Sequence, residues 1–462
     1  MYSFRDDLSH MTGGLTSVHA SPRLRENTFS PEYYRNCQFT LETALNAVEA
    51  YRQWRDRDPG PSYPIDLRYA SLPVLTKGDL RKFSAVDFLP PGRDLDAGLA
   101  SGEVSYVMTS GSTEDRVTNL WYQPWWDASE QASWKLNTVA SRVATGTHRE
   151  AILTSPLCTG VLCENGTLPM ERRMLGRFLY LNEVIDPGDW NETHLDRMIA
   201  ELNLFQPVVL EANPSLLGKL ASHIIDNGKS VASLKMIVLT YENPSLIHLR
   251  QIRRAFDAPV VSSYGTTETG YVFMECEAGR LHQNAEFCRV DFQPLKEEHG
   301  GPLIGRILVT TFHNPWNILL RFHVGDLVRL EESGTCPCGR SGGLILSAIE
   351  GRIANVTLTP EGCLVTQRQV DAALSDVPGV MGYRLRQTGP DAYALALVKD
   401  QNAPPRLDVR ASEALHGLYG TRAKVSVGFE DSLPLNGLPK YQHAKSCLPI
   451  DIDRYLANRK AL

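Results

Sequence analysis

PVVLEANPSLLGKLASHIIDNGKSVASLKMIVLTYENPSLIHLRQIRRAFDAPVVSSYGTTETG, residues 207–270, is the stretch on which the fold turns. Three short apolar runs, PVVLEA (207–212), LKMIVLT (234–240) and PVVSSYG (259–265), alternate with two stretches of helical periodicity, Ser215 to Asp226 and Ser245 to Phe256. Such alternation predicts successive βα units and a mostly parallel, helix-covered sheet, with ligands bound beyond the carboxyl ends of the strands. The last run leads straight into YGTTETG. Its residues can serve a nucleotide in several ways: Tyr264 as a cover for a purine face, Gly265 for close backbone approach, Thr266 and Thr267 as phosphate donors, Glu268 as a magnesium ligand.

Upstream, SYVMTSGSTEDRVTNLW (105–121) runs from a β-prone segment into TSGST. Thr109, Ser110, Gly111, Ser112 and Thr113 make a loop suited to an anion, because glycine lets backbone N–H groups converge and the hydroxyls reach phosphate oxygens or a metal. No Gly-Lys-Ser/Thr follows, so it is not a Walker A loop. Before it, Leu41, Leu45, Val48, Tyr51 and Trp54 predict an amphipathic helix that stops at Asp58-Pro59-Gly60, and Thr76 is placed to cap a short helix in LPVLTKGDLRKF (72–83). After it, residues 128–144 read as helix and AILTSPL (151–157) as a buried strand. Downstream, LLRFHVGDLVRL (319–330) sets Asp326 after a glycine between two β-like runs, where a carboxylate can accept both hydroxyls of a ribose.

A chain of 462 residues, 42% hydrophobic, can bury a large core and predicts two or more domains. Its net charge of -6 argues against a generic binder of nucleic acid or anionic membrane. MYSFRDDLSH has no apolar signal core, and no stretch approaches the roughly 18 apolar residues of a spanning helix, so a cytoplasmic location is expected. Nine dispersed cysteines then suggest reduced thiols or metal ligands. Cys276, His282, Cys336 and Cys338 would suit a closed tetrahedral site, hence structural zinc.

TSGST, then YGTTE, then VGD, then Gly351-Arg352 resembles, in order and spacing, the motif series of the adenylate-forming ligases. LPVLTKGDLRKF and Cys336-Pro337-Cys338-Gly339-Arg340 resemble the phenylacetate-CoA ligase branch. The resemblance covers about residues 70–445. It implies an α/β fold: a large N-terminal domain (1–350) with mixed, mostly parallel sheets, and a small mobile α+β C-terminal domain (351–462). The change beyond Arg352 to short strands and helices supports that split.

The resemblance further implies ATP, Mg2+ and CoA as cofactors and an acyl-AMP intermediate. TSGST would hold the β- and γ-phosphates, Glu268 and Thr113 would work with magnesium, Tyr264 would stack on adenine and Asp326 would take the ribose. Arg340 and Arg352 would lie near ribose or phosphates. In DSLPLNGLPKYQHAK, Lys440 would stabilise the transition-state oxyanion, with Lys445 as its alternate. Trp121, Tyr241 and Tyr271 would line the pocket for an aryl or small organic acid. The expected partners are that acid and ATP, with CoA or a carrier protein as acceptor, and a second copy in a homodimer.

Two departures stand out. Glu114-Asp115-Arg116-Val117 replaces the usual second glycine and lysine of the phosphate loop, and Ala354 replaces the usual hinge aspartate. They keep open a relative that binds nucleotide or acyl ligand without turnover; a separate alternative is an adenylating enzyme for a non-carboxylate acid such as nitrite, which a small, polar pocket would favour.

Overall fold

The computed structural model describes residues 29–108, 117–161, 168–433 and 442–457. Ser30 caps the first helix, α1 (Pro31–Ala47), its hydroxyl accepting from the Tyr33 N–H at 3.2 Å. The helix expected over 41–54 divides there. A 3-10 segment, Glu49–Arg57, follows α1 and turns Tyr51 into the core, where its hydroxyl donates to the Ile318 carbonyl at 2.9 Å. Thr76 forms the predicted cap as a capping box with Asp79 at the start of α2 (Lys77–Lys82).

β1 (Ser105–Met108) and β2 (Thr118–Trp121) form an antiparallel hairpin. The helical reading of 128–144 resolves into α3 (Gln123–Trp134) and α4 (Thr138–Val143). The break falls at Asn137, whose side chain caps α4 rather than continuing the first helix.

The main sheet takes β3 (Glu150–Leu153), β4 (Met174–Leu175), β5 (Phe178–Tyr180), β6 (Val209–Ala212), β7 (Met236–Leu239), β8 (Val260–Thr266), β9 (Gly270–Glu275), β10 (Leu281–Gln283), β11 (Cys288–Pro294), β12 (Ile304–Thr311), β13 (Phe322–Leu330) and β14 (Ile345–Arg352). Their spatial order is β11-β12-β13-β14-β10-β9-β8-β7-β6-β3-β5-β4. Parallel pairing is confined to β5-β3-β6-β7-β8, the region of the βα units, where α5 (Glu192–Phe205), α6 (Pro214–Asp226) and α7 (Leu246–Ala255) supply the connections. The expected parallel majority is thereby corrected. From β8 to β14 neighbouring strands are antiparallel, because short connections such as the one from Thr266 to Gly270 leave no room for a crossover helix.

Both faces of the parallel part are covered, which is why its strands are largely apolar, Glu150 and Glu211 apart. Leu210, Ala212, Ile237 and Leu239 pack with Met198, Leu202, Leu217 and Leu220 of the crossover helices. Val209, Met236 and Val238, one residue out of step, meet Trp134 and Ala140 on the other face.

Beyond Arg352 a smaller unit begins. β15 (Thr357–Leu358) and β16 (Leu364–Val365) make a hairpin, and β17 (Val380–Gln387), β18 (Ala392–Lys399), β19 (Lys424–Phe429) and β20 (Ala444–Ser446) form a separate sheet in the order β19-β18-β17-β20. Helices α8 (Gln367–Ser375) and α9 (Leu407–Tyr419) cover it through Val370, Leu374, Ala411 and Leu415. Among the described residues no helix is long and apolar enough to cross a membrane.

Candidate active site

Asp326 organises the site. It lies inside β13, not at the turn its glycine suggested, as the cross-strand partner of Arg352 on β14. Only 4% of it is exposed. Its Oδ2 accepts from the Tyr264 hydroxyl at 2.6 Å, and its Oδ1 lies 3.2 Å from Arg352 Nε. Arg352 also donates from Nη1 to the Val324 carbonyl at 3.0 Å. Burial, then the Asp326 charge, holds the Tyr264 phenol well above its usual range, so this hydroxyl stays a donor.

The YGTTE stretch is the tight connection between β8 and β9. A Cβ on Gly265 would lie 2.3 Å from the Gly270 carbonyl oxygen, so the close approach of the two strands demands glycine there. Thr266 is engaged with Thr269, hydroxyl to hydroxyl at 2.9 Å, and the Thr267 carbonyl accepts from Asn119 Nδ2 at 2.9 Å. Asn119 belongs to β2, so the hairpin flanking residues 109–116 is tied to this turn. Glu268 is 3% exposed, and its Oε1 lies 3.3 Å from Lys77 Nζ without a hydrogen bond. The cap at Thr76 puts Lys77 at the first position of α2, facing this carboxylate.

Lys77 and Asn119 were not among the expected site residues. The signal for Lys77 was its place directly after the capping threonine in LPVLTKGDLRKF; a polar residue inside a β-like run was the only sign of Asn119. Thr109, Ser110, Gly111, Ser112, Thr113 and Lys440 lie outside the described residues. Lys445 is an exposed residue of β20.

Of the expected pocket residues, Tyr271 stands beside Tyr241 and, through Trp126, beside Trp121. Trp121 lies 4.2 Å from Trp126, centroid to centroid, and Trp126 lies 5.2 Å from Tyr271, so α3 contributes an aromatic residue between the two expected ones. Tyr241 adopts a left-handed backbone, φ 72°, and donates its hydroxyl to Glu211. Glu211 is the one carboxylate in the VLEA strand and faces Glu130 of α3 and Glu150 of β3. Burial, reinforced by Glu150, lifts Glu130 to about 7, and burial with Glu130 and Glu150 lifts Glu211 well above the carboxylate range.

Cys276, His282, Cys336 and Cys338 are brought together from the end of β9, from β10 and from the β13–β14 connection, with one ligand atom each and all four within 4.8 Å of one another. Cys276 Sγ is 3.6 Å from Cys336 Sγ, and Cys338 Sγ is 3.3 Å from His282 Nε2. Tetrahedral thiolates on zinc stand about 3.8 Å apart, so the spacing fits a closed four-ligand site. Burial and then Arg340 hold His282 down to about 4, leaving the neutral imidazole a metal requires. Arg340 belongs with this cluster: it pairs with Glu277 at 2.9 Å and donates to Thr138 Oγ1 at 3.0 Å. The arginine expected at ribose or phosphate is here turned toward α4, beside the knuckle that positions Cys338.

No protein-family profile matches the chain. It is 28% identical over 139 residues to Protein CapK of Staphylococcus aureus, a match that spans 30% of this chain and only 30% of that relative. Among solved structures, 2-hydroxyisobutyryl-CoA ligase in the postadenylation state superposes with a TM-score of 0.64 at 17% identity, covering 89% of each chain. The same ligase in the thioesterification state gives 0.52 at 17% identity, covering 88% of this chain and 89% of that one. At such identity the likeness is one of architecture: this chain has the fold of the adenylate-forming ligases.

Proposed function

We propose that the protein is an ATP-dependent ligase that activates a small organic acid as an acyl adenylate, releasing pyrophosphate. The acyl group then passes to CoA or another nucleophile with release of AMP. The observation that carries the reading is the convergence of Tyr264, Asp326 and Arg352, 62 and 26 residues apart in sequence, on one centre beside the Glu268–Lys77 pair.

Asp326 is suited to the ribose. Tyr264 takes one lone pair of Oδ2 and Arg352 pairs ionically with Oδ1, and the remaining lone pairs can accept two hydroxyls. Tyr264, its hydroxyl anchored, offers a ring of fixed plane to adenine. Glu268 fits Mg2+, since an unbonded buried carboxylate oxygen suits a hard cation, and bound Mg2+ supplies neutralisation of the phosphate charge. Thr109, Ser110, Gly111, Ser112 and Thr113 would embrace the phosphates, and Lys440 would stabilise the charge that develops as the acid attacks the α-phosphate. An aromatic acid is the finer reading, supported by the wall of Trp121, Trp126 and Tyr271. Zinc on Cys276, His282, Cys336 and Cys338 would be structural, because four protein ligands leave no open position.

The test is pyrophosphate release from MgATP across aromatic, aliphatic and inorganic acids, with and without CoA. Release that depends on one acid and is lost in a folded Lys440→Ala variant supports the reading. Binding of ATP with no release on any acid sinks it.

A further inference from the structure

The small unit is fastened to the large one at both of its ends. Its entry, at Arg352, is covalent. At its exit, the chain leaves β20 at Ser446, and by Ile450 it is packed against the large unit. There Leu456 forms an antiparallel bridge with Leu295, just past the end of β11, the outermost strand of the main sheet. The Lys296 N–H donates to the Tyr455 carbonyl and the Ala457 N–H to the Pro294 carbonyl, both at 2.9 Å, and Lys296 Nζ donates to the Arg454 carbonyl at 2.7 Å. Arg306, steadied by Gln293, holds Asp453 at 2.7 Å. The Tyr455 ring meets His299 edge-on at 4.8 Å. Ile450 and Ile452 complete an apolar cluster that joins Leu295, Ile304 and Leu327 of the large unit to Val356 and Leu364 of the β15–β16 hairpin.

That hairpin travels with the small sheet: Leu358 exchanges hydrogen bonds with Gln387, and Thr357 bonds Tyr419 at 2.6 Å. The cluster therefore ties the small unit's hairpin to the large unit through the chain's last described stretch. Only residues 447–449 link β20 to the docked stretch, a reach of about 14 Å at full extension.

We propose that residues 450–457 are a latch that holds the small unit in the orientation seen here, and that the small unit turns only when this stretch lets go. The proposal rests on the reading that the small unit moves during the reaction. Its test measures the attachment itself, without an assay of catalysis, so failure of the latch and failure of the ligase reading are distinguishable.

A reporter is built in. The Leu246 N–H, at the first position of α7, has no partner within its own helix and donates to Asp371 Oδ2 of α8 at 2.5 Å, so its protection depends on the small unit staying docked. Leu295 and Leu456 form a non-hydrogen-bonded antiparallel pair, whose Cα separation of about 4.5 Å admits a disulfide. The experiment compares amide exchange at Leu246 in an L295C/L456C protein carrying Cys447→Ser, oxidised and then reduced, and in Leu456→Asp. A latch predicts exchange at least tenfold slower in the oxidised than in the reduced protein, and at least tenfold faster in Leu456→Asp than in the parent. Equal exchange at Leu246 in the oxidised and reduced forms overturns the proposal, and this comparison stands even if Leu456→Asp does not fold.

Discussion

At the scale of the residue, Tyr264, Asp326 and Lys77 can be separated by what each removal leaves behind. Tyr264→Phe deletes one hydrogen bond to a carboxylate, an interaction of about 1.5–3 kcal/mol, while keeping the ring. The expected result is a KM for ATP raised about tenfold with kcat little changed, read from steady-state kinetics. An unchanged KM would detach Tyr264 and Asp326 from the nucleotide. Lys77→Met leaves Glu268 buried without its cation. Because 22% of the lysine side chain is exposed, the cost should fall at about 2–3 kcal/mol, below that of breaking a fully buried pair. Added Mg2+ should restore more of the melting temperature in this variant than in the parent if Glu268 takes the metal. Lys77 escaped the sequence reading because a lysine after a helix cap is ordinary; its meaning comes from a carboxylate 191 positions away.

At the scale of the element, the α7 helix carries a pH dependence. His248 packs against Gly218 of α6 on one side and the His443 ring, 5.7 Å away, on the other, and burial holds it down to about 4. As pH falls below the ordinary imidazole value, the unfolded chain takes up this proton and the folded chain does not. The group therefore draws stability down through the window from about 6.5 to about 4, by up to about 3 kcal/mol. Asp371, which burial lifts to about 6, acts in the opposite sense over part of that range, since there the folded state binds the proton first. A His248→Gln variant isolates the histidine: its urea-unfolding free energy should change less than the parent's between about pH 7 and pH 4.5, by about 2–3 kcal/mol. Parallel profiles would contradict this assignment. The β8–β9 turn makes a sharper prediction. Gly265→Ala must open two strands that approach too closely for a methyl group, so loss of fold or a drop in melting temperature of several degrees is expected by calorimetry.

At the scale of the whole molecule, the Cys276–His282–Cys336–Cys338 cluster joins the β9–β10 hairpin to the connection between β13 and β14, the strands that present Asp326 and Arg352. One zinc per chain is expected by elemental analysis, and a chelator should lower the melting temperature and ATP affinity together. A metal-free protein of unchanged stability would return these thiols to ordinary packing. What the chain determined by itself was local. The βα alternation, the Thr76 cap and the grouping of the four metal-type ligands were legible, because periodicity, capping and ligand chemistry are written within a few residues of each other or in residue types rare elsewhere. The order of the motifs also suggested the adenylate-forming fold before any contact was known. The tertiary structure alone decided the rest: that Asp326 sits inside a strand, that the sheet turns antiparallel after β8, that Arg340 serves the cysteine cluster, that Trp126 bridges the aromatic wall, and that residues 450–457 return to the large unit. Each depends on a partner far away in sequence, chosen by competition among many surfaces of similar local character, and only the folded chain resolves that competition.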